Sequence, residues 1–260
     1  MKNSICLLAG VILLFSCKKE SSNTSTNSSN TTNSNSITCI NNPNINFTST
    51  GNQIGKFSDC IKDVDDNTYK TVIIGTQTWM AENLKTSKYN DGTVIPKISD
   101  NTQWQNNLTG AWVYYFNDED NNAKYGKLYN WYAVNKTSNG NKNLCPIGWH
   151  VPTYSEWEIL IDYLGGDNVA GDKMKEVGIS SWNSPPTQST NTSLFTGLPG
   201  GGRSYGGKLF SNLGQNGYWW SSTEINNSNA WIRFLDDDDG FADTNNFDKR
   251  HGFSIRCIKD

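Results

Sequence analysis

TYSEWEILIDYLG, residues 153–165, is the stretch from which the fold class is read. Thr153 and Glu156 have the T-x-x-E spacing of a capping box, in which each side chain satisfies a backbone N–H of the first helical turn. Pro152 stands just before them. Trp157, Leu160, Ile161 and Leu164 recur at i, i+3, i+4 and i+7, one apolar stripe on a helix. Gly165 and Gly166 end it, because glycine takes up left-handed backbone without a Cβ penalty. The spacing predicts a core helix, not a site.

Outward from this helix the pattern turns to strands. Downstream, Tyr218–Ser222, Ala230–Leu235 and Phe253–Ile258 are β-rich runs separated by polar, glycine-bearing loops. Upstream, Tyr69–Ile74, the turn Gly75-Thr76 and Gln77–Met80 read as a hairpin. Ala81–Leu84 is expected to form a short helix, and Ala111–Phe116 a strand. Leu128, Trp131 and Tyr132 fall at i, i+3 and i+4, which predicts a helix over Leu128–Val134. The class is therefore α+β, with a small antiparallel sheet, two or three short helices and long loops. Ten Trp, eleven Tyr and ten Phe among 260 residues suit aromatic packing in a loop-rich fold. The net charge of −3 gives no basic groove for nucleic acid.

The first forty residues carry a different message. Lys2 precedes an apolar run from Ile5 to Phe15, too short to span a bilayer and suited to a signal peptide over residues 1–16. Leu14-Phe15-Ser16-Cys17 is similar to a bacterial lipobox, which predicts lipidation of Cys17 and a membrane anchor. Residues 17–38 are then a Ser/Asn/Thr-rich tether with too little apolar surface to offset the entropy of ordering. Lys18 stands where inner-membrane retention often uses Asp, so an exported, outer-membrane location is expected. Residues 39–62 read as a short disulfide-bearing segment and 63–260 as the main domain. Beyond Cys6 in the signal and Cys17, four cysteines remain in an exported chain. They allow three pairings; the favoured one joins Cys39 to Cys60 and Cys145 to Cys257.

Several blocks together resemble one family. They are Trp79-Met80-Ala81-Glu82-Asn83-Leu84, Tyr125–Ala133 (YGKLYNWYA), Cys145–Pro152 (CPIGWHVP), Trp220–Glu224 (WSSTE) and Ser254-Ile255-Arg256-Cys257. In this order they are similar to the Fibrobacter succinogenes major paralogous domain. The resemblance implies a C-type-lectin-like fold, related in shape to formylglycine-generating enzymes. It also implies a surface lipoprotein or secreted protein with a binding or display role, and it brings no catalytic residues. Leu198-Pro199-Gly200-Gly201-Gly202-Arg203 departs from the Leu-Pro-Ala-Gly-Tyr-Arg of that pattern.

Other motifs weigh against most catalytic chemistry. Gly202–Lys208 matches G-x-x-x-x-G-K, but Leu209 stands where the Mg²⁺-binding hydroxyl would be, so a glycine-rich turn is expected. Two histidines, His150 and His251, give a His-based triad or zinc site few parts. His150 is expected to be packed and hydrogen-bonded, and His251 exposed. Asp63, Asp65 and Asn67 alternate like the start of a calcium loop, though its glycine and closing glutamate are missing. Asp236–Asp239 repel one another, so a bound cation such as calcium would relieve them. Of the neighbours Trp219 and Trp220, one is expected in the core.

The candidate ligand face is C-terminal. Trp231 and Arg233 share one side of a strand, and with Asn226, Asn227, Asp236, Asp238, Asp243, Asn245 and Arg250 would make a mixed aromatic and polar surface. The expected function is a non-catalytic, envelope-anchored binding module for glycan or protein. The alternative is a structural envelope-assembly lipoprotein. An oxidase of the formylglycine-generating type is disfavoured, because cysteines held in a disulfide cannot act as nucleophile and redox partner.

Overall fold

The hairpin predicted around Gly75-Thr76 forms the frame of the domain. In the computed structural model, which describes residues 48–178, 180–184 and 188–260, Gly75 has φ 61, so a side chain there would be strained. All described residues lie within one compact unit, Ile37–Asp260. The signal peptide, Cys17, the tether and Cys39 lie outside the described residues.

In chain order, β1 (Lys56–Lys62), β2 (Thr68–Ile74) and β3 (Gln77–Met80) precede α1 (Asn101–Asn106) and β4 (Trp112–Val113). A 3-10 turn (Tyr115–Asn117), α2 (Asp120–Tyr125), β5 (Leu128–Tyr129), α3 (Trp131–Val134) and β6 (Trp149–His150) follow. Next come α4 (Tyr154–Tyr163), α5 (Asp167–Met174), β7 (Gly200–Arg203), β8 (Phe210–Leu213) and β9 (Asn216–Glu224). β10 (Asn229–Asp236), β11 (Ala242–Asp248) and β12 (Ile258–Lys259) complete the fold. One five-stranded sheet has the order β1-β2-β3-β12-β6, the other β11-β10-β9-β7-β8, and β4 pairs with β5. The pairs are antiparallel except β7 with β9, which is parallel.

The α+β class holds, with corrections in detail. Among the described residues, two five-stranded sheets replace the small single one, and five α-helices the two or three expected. α4 carries the predicted capping box, with Thr153 Oγ1 accepting from Glu156 N and Glu156 accepting from Thr153 N. Helix Leu128–Val134 is corrected. Leu128–Tyr129 pairs with β4, and Asn130 caps a helix that begins only at Trp131, accepting from Ala133 N. Ala81–Leu84 is not helical, because its backbone bonds outward: Ala81 N to Lys70 O and Leu84 N to Ile255 O. The strand over Ala111–Phe116 shrinks to β4, since Phe116 and Asn117 turn to φ 53 and 60. β1 joins the main sheet, and Ile54 and Gly55 donate to Thr192 O. Sequence alternation missed β1 because four of its first residues are exposed.

Two cores lie on opposite sides of β9. Trp219 packs with Trp79, Trp157, Leu160 and Phe195, and Trp220 with Trp131, Ile232 and Phe253. Both adjacent tryptophans are therefore core, which corrects the expectation of one. Successive strand residues face opposite ways, and each face of β9 is covered. Truncating either to Ala would cost about 3–5 kcal/mol.

Candidate functional site

The cleft is built where three elements end. Val134, Asn135 and Lys136 come from the end of α3, His150 and Val151 from β6, and Thr153 from the start of α4; Asn143 and Ser222 complete the wall. The cavity is about 360 Å³. His150 stands at its edge between two carboxylates, with Nδ1 2.6 Å from Asp260 and Nε2 2.9 Å from Glu156. The Glu156 bond, with help from Asp260, holds the imidazole above its ordinary value against the opposing effect of burial. Burial also opposes the charge on Glu156, but His150 and the Thr153 donors bring its carboxyl down to about 2. A ring donating through both nitrogens is an imidazolium. It has no lone pair with which to act as a base.

A pair of half-buried aromatic rings adjoins the cleft. Tyr154 and Trp231 lie 4.9 Å apart at 46°. The β9–β10 register shifts between Ala230 and Ile232, so Trp231 sits opposite a bulge over 221–223. Such a bulge re-aims side chains. Here it brings Ser222 of the cleft and Trp231 to one place, and Ser222 N donates to Pro152 O and Tyr154 N to Thr223 Oγ1.

The other residues of the predicted ligand face are scattered. Arg233 is 1% exposed and ion-paired to Glu158 and, at 3.0 Å, to Asp167, so its guanidinium ties β10 to the helices and is not presented to solvent. Asp236, Asp243 and Asn245 are on the other face of the sheet from Trp231, by strand alternation. Asn226 and Asn227 are in the β9–β10 turn, where Asn226 Oδ1 accepts from Ser228 N and Asn229 N and Asn227 O from Lys249. Asp238 is exposed beyond the far end of β10, a strand of eight residues and so about 26 Å from end to end. Arg250 is forked onto Asp248. None of the nine predicted residues lines the cleft; Trp231, opposite the bulge that carries Ser222, lies beside it.

The calcium reading at Asp63, Asp65 and Asn67 is also corrected. Asp63 accepts from Asp65 N, Asn67 N, Asn67 Nδ2 and Tyr69 OH, the last at 2.5 Å. Asp65 accepts from Ser87 N and Oγ and pairs with Lys88 at 2.8 Å. Protein donors occupy the oxygens a cation would need. In the acidic loop the relieving cation is Lys175, buried, with Nζ donating to the carbonyl oxygens of Asp236 (2.7 Å) and Asp239. Gly202–Lys208 runs from β7 into a turn closed by Ser204 N to Leu209 O, a hairpin and not a phosphate loop. His251 is half-buried against Phe247 and Phe253, and burial lowers its affinity for a proton, so it is not the exposed residue expected.

A family model described as the Fibrobacter succinogenes major domain matches residues 72–259. The chain belongs to that family. No curated protein and no solved structure matches. The blocks that carry the family resemblance form a buried frame. Arg256, 0% exposed, donates to Asn83 Oδ1 (2.9 Å), Met80 O (3.2 Å), Phe195 O and Thr196 O. Asn83 Oδ1 also accepts from Trp219 Nε1, and Asn83 Nδ2 donates to Tyr125 O. Trp131 Nε1 donates to Ser221 O and Trp220 Nε1 to Tyr129 O, so each block satisfies the backbone of another. Cys145 and Cys257 are bonded, closing the frame; Cys60 is also disulfide-bonded. At 200–203, where the motif departs, Arg203 still reaches Ile98 O (2.6 Å) and Ser99 O (3.0 Å). The family motifs thus specify scaffold. The cleft residues Asn135 and Asn143 carried no motif signal; the positions of His150 inside the CPIGWHVP block and of Ser222 inside the WSSTE block were the pointers toward the cleft.

Proposed function

We propose that this domain is a non-catalytic binding module for glycan ligands, held at the outer membrane by a lipid on Cys17. The carrying observation is the half-exposed Tyr154–Trp231 ring pair beside the open cleft. Aromatic faces take the apolar side of a sugar, while amides and hydroxyls take its polar edge. Asn135, Asn143 and Ser222 supply the second kind of group. The doubly bonded His150 and the disulfide of Cys145 with Cys257 support binding over catalysis. The pairing of β12 with β3 and β6, which brings the end of the fold back to its first hairpin, supports a C-type-lectin-like reading.

The test is a glycan array with the purified full chain, in calcium and in chelator, beside Trp231→Ala. We expect binding that ignores the chelator and weakens roughly thirtyfold in the variant, the loss of one aromatic anchor. Silence from folded protein, with other envelope proteins co-purifying, would overturn this reading in favour of envelope assembly.

A further inference from the structure

A second, smaller pocket opens on the other face of the β9–β11 sheet. Its apolar walls are Tyr218, Phe247 and Phe253, and its volume is about 100 Å³. Gly202 lines it and lets the Phe253 ring pack close, since a Cβ there would stand 2.6 Å from that ring. Such a space has room for a small substituent of a few heavy atoms.

The polar groups of the pocket are specific in kind. His251 Nδ1 lies 3.0 Å from the carbonyl oxygen of Asp248, which can only accept, so Nδ1 carries the proton. Nε2 of the neutral ring is then an acceptor, and it has no hydrogen-bond partner among the described residues. Burial keeps the ring from taking a second proton. The backbone of Asn212 is left-handed, φ 64, and its Nδ2 donates to Tyr218 OH at 2.7 Å, which fixes its amide at the pocket wall. Ser204 and Ser211 bring hydroxyls to the rim. No free charge competes. The Arg203 guanidinium is spent on Ile98 O and Ser99 O, and Arg250 and Asp248 neutralise each other. An ion is therefore disfavoured, and so is a purely apolar group, which would leave Nε2 dry and unpaired.

From this geometry we infer that the His251 pocket receives the acetamido group of an N-acetylated amino sugar. The methyl sits among Tyr218, Phe247 and Phe253, the amide N–H donates to His251 Nε2, and a rim serine donates to the carbonyl. Tyr205, 48% exposed, 5.4 Å from the His251 ring and with the Arg250 guanidinium 5.3 Å over one face, leaves its other face to the sugar ring outside. That exposed platform favours a sugar over an acetylated lysine side chain, which has no ring to stack. The site is separate from the His150 cleft and does not depend on it.

The test is saturation-transfer NMR on the purified full chain with N-acetylglucosamine, glucosamine, glucose and N-acetyl-lysine. We expect the acetyl methyl of N-acetylglucosamine to receive the most saturation, and the two sugars without it to bind roughly tenfold more weakly. His251→Phe keeps the wall and removes the acceptor, and should weaken binding roughly tenfold. Ser211→Trp, on an exposed strand position, should close the mouth and abolish binding without disturbing the fold. Equal binding of all three sugars, tighter binding of N-acetyl-lysine, or undiminished binding in folded Ser211→Trp would overturn the assignment. Loss of array binding in Trp231→Ala alone bears only on the first cleft.

Discussion

Removing the Cys145–Cys257 bond should be among the most costly single changes to this domain. The two cysteines are 112 residues apart in sequence, and both are buried. In the chain-entropy treatment, a cross-link closing a loop of that length confines the unfolded chain by about 4.8 kcal/mol. A domain of this size loses stability in urea at about 2.5 kcal/mol per molar. Cys145→Ala/Cys257→Ala should therefore lower the urea midpoint by about 1.9 M. The double variant is the right perturbation, because a reductant would also open the disulfide of Cys60. Tryptophan fluorescence follows the transition, since Trp219 and Trp220 lie in the two cores. A midpoint within about 0.3 M of the parent would refute the reasoning, and would mean that residual structure already confines the denatured chain.

The remaining predictions concern the frame, the histidine bridge and calcium. Arg256→Met should fail to accumulate as folded protein. It strips the buried carbonyls of Met80, Phe195 and Thr196 of a donor at about 1–3 kcal/mol each, against a total stability of about 5–15 kcal/mol; a soluble variant with parental circular dichroism and midpoint would sink this. The His150–Glu156 bond should stabilise most between about pH 4.5 and 6.5. The raised His150 gives its full contribution below 6.5 and loses it as pH rises through the folded value, while the depressed Glu156 gives its own above 4.5 and loses it as pH falls toward 2. Urea midpoints of the parent and Glu156→Gln across pH would show the largest gap in that window, and a flat gap would count against it. Calcium and chelator should give the same unfolding midpoint, because Asp63 and Asp65 are saturated by protein donors; a calcium-dependent rise would restore the loop as a ligand set.

Local signals were read well where one segment carried its own instruction. The capping box at Thr153 and Glu156 formed as written, and the Gly75-Thr76 turn joined the strands on either side. Signals that needed a partner misled. Leu128, Trp131 and Tyr132 keep helical spacing, but the chain changes from strand to helix at Asn130 because β4 takes the backbone of Leu128 and Tyr129. Asp63, Asp65 and Asn67 look like ligands until Ser87, Lys88 and Tyr69 arrive to donate to the carboxylates. Arg233 looked like a surface contact because the neighbours that bury it, Glu158 and Asp167, are far away in sequence.

By itself the sequence determined the class and the family: apolar period, capping chemistry and motif order are properties of short segments, whereas the choice among three cysteine pairings needed the fold that brings Cys145 to Cys257. Only the tertiary structure decided where a ligand could sit. The cleft gathers residues from the end of α3, β6, the start of α4 and the bulge of β9, and the second pocket gathers Gly202, Ser211, Tyr218, Phe247, His251 and Phe253. Concavity and unspent hydrogen-bonding capacity are what remain after every other group has found its partner, and those partners are distant along the chain.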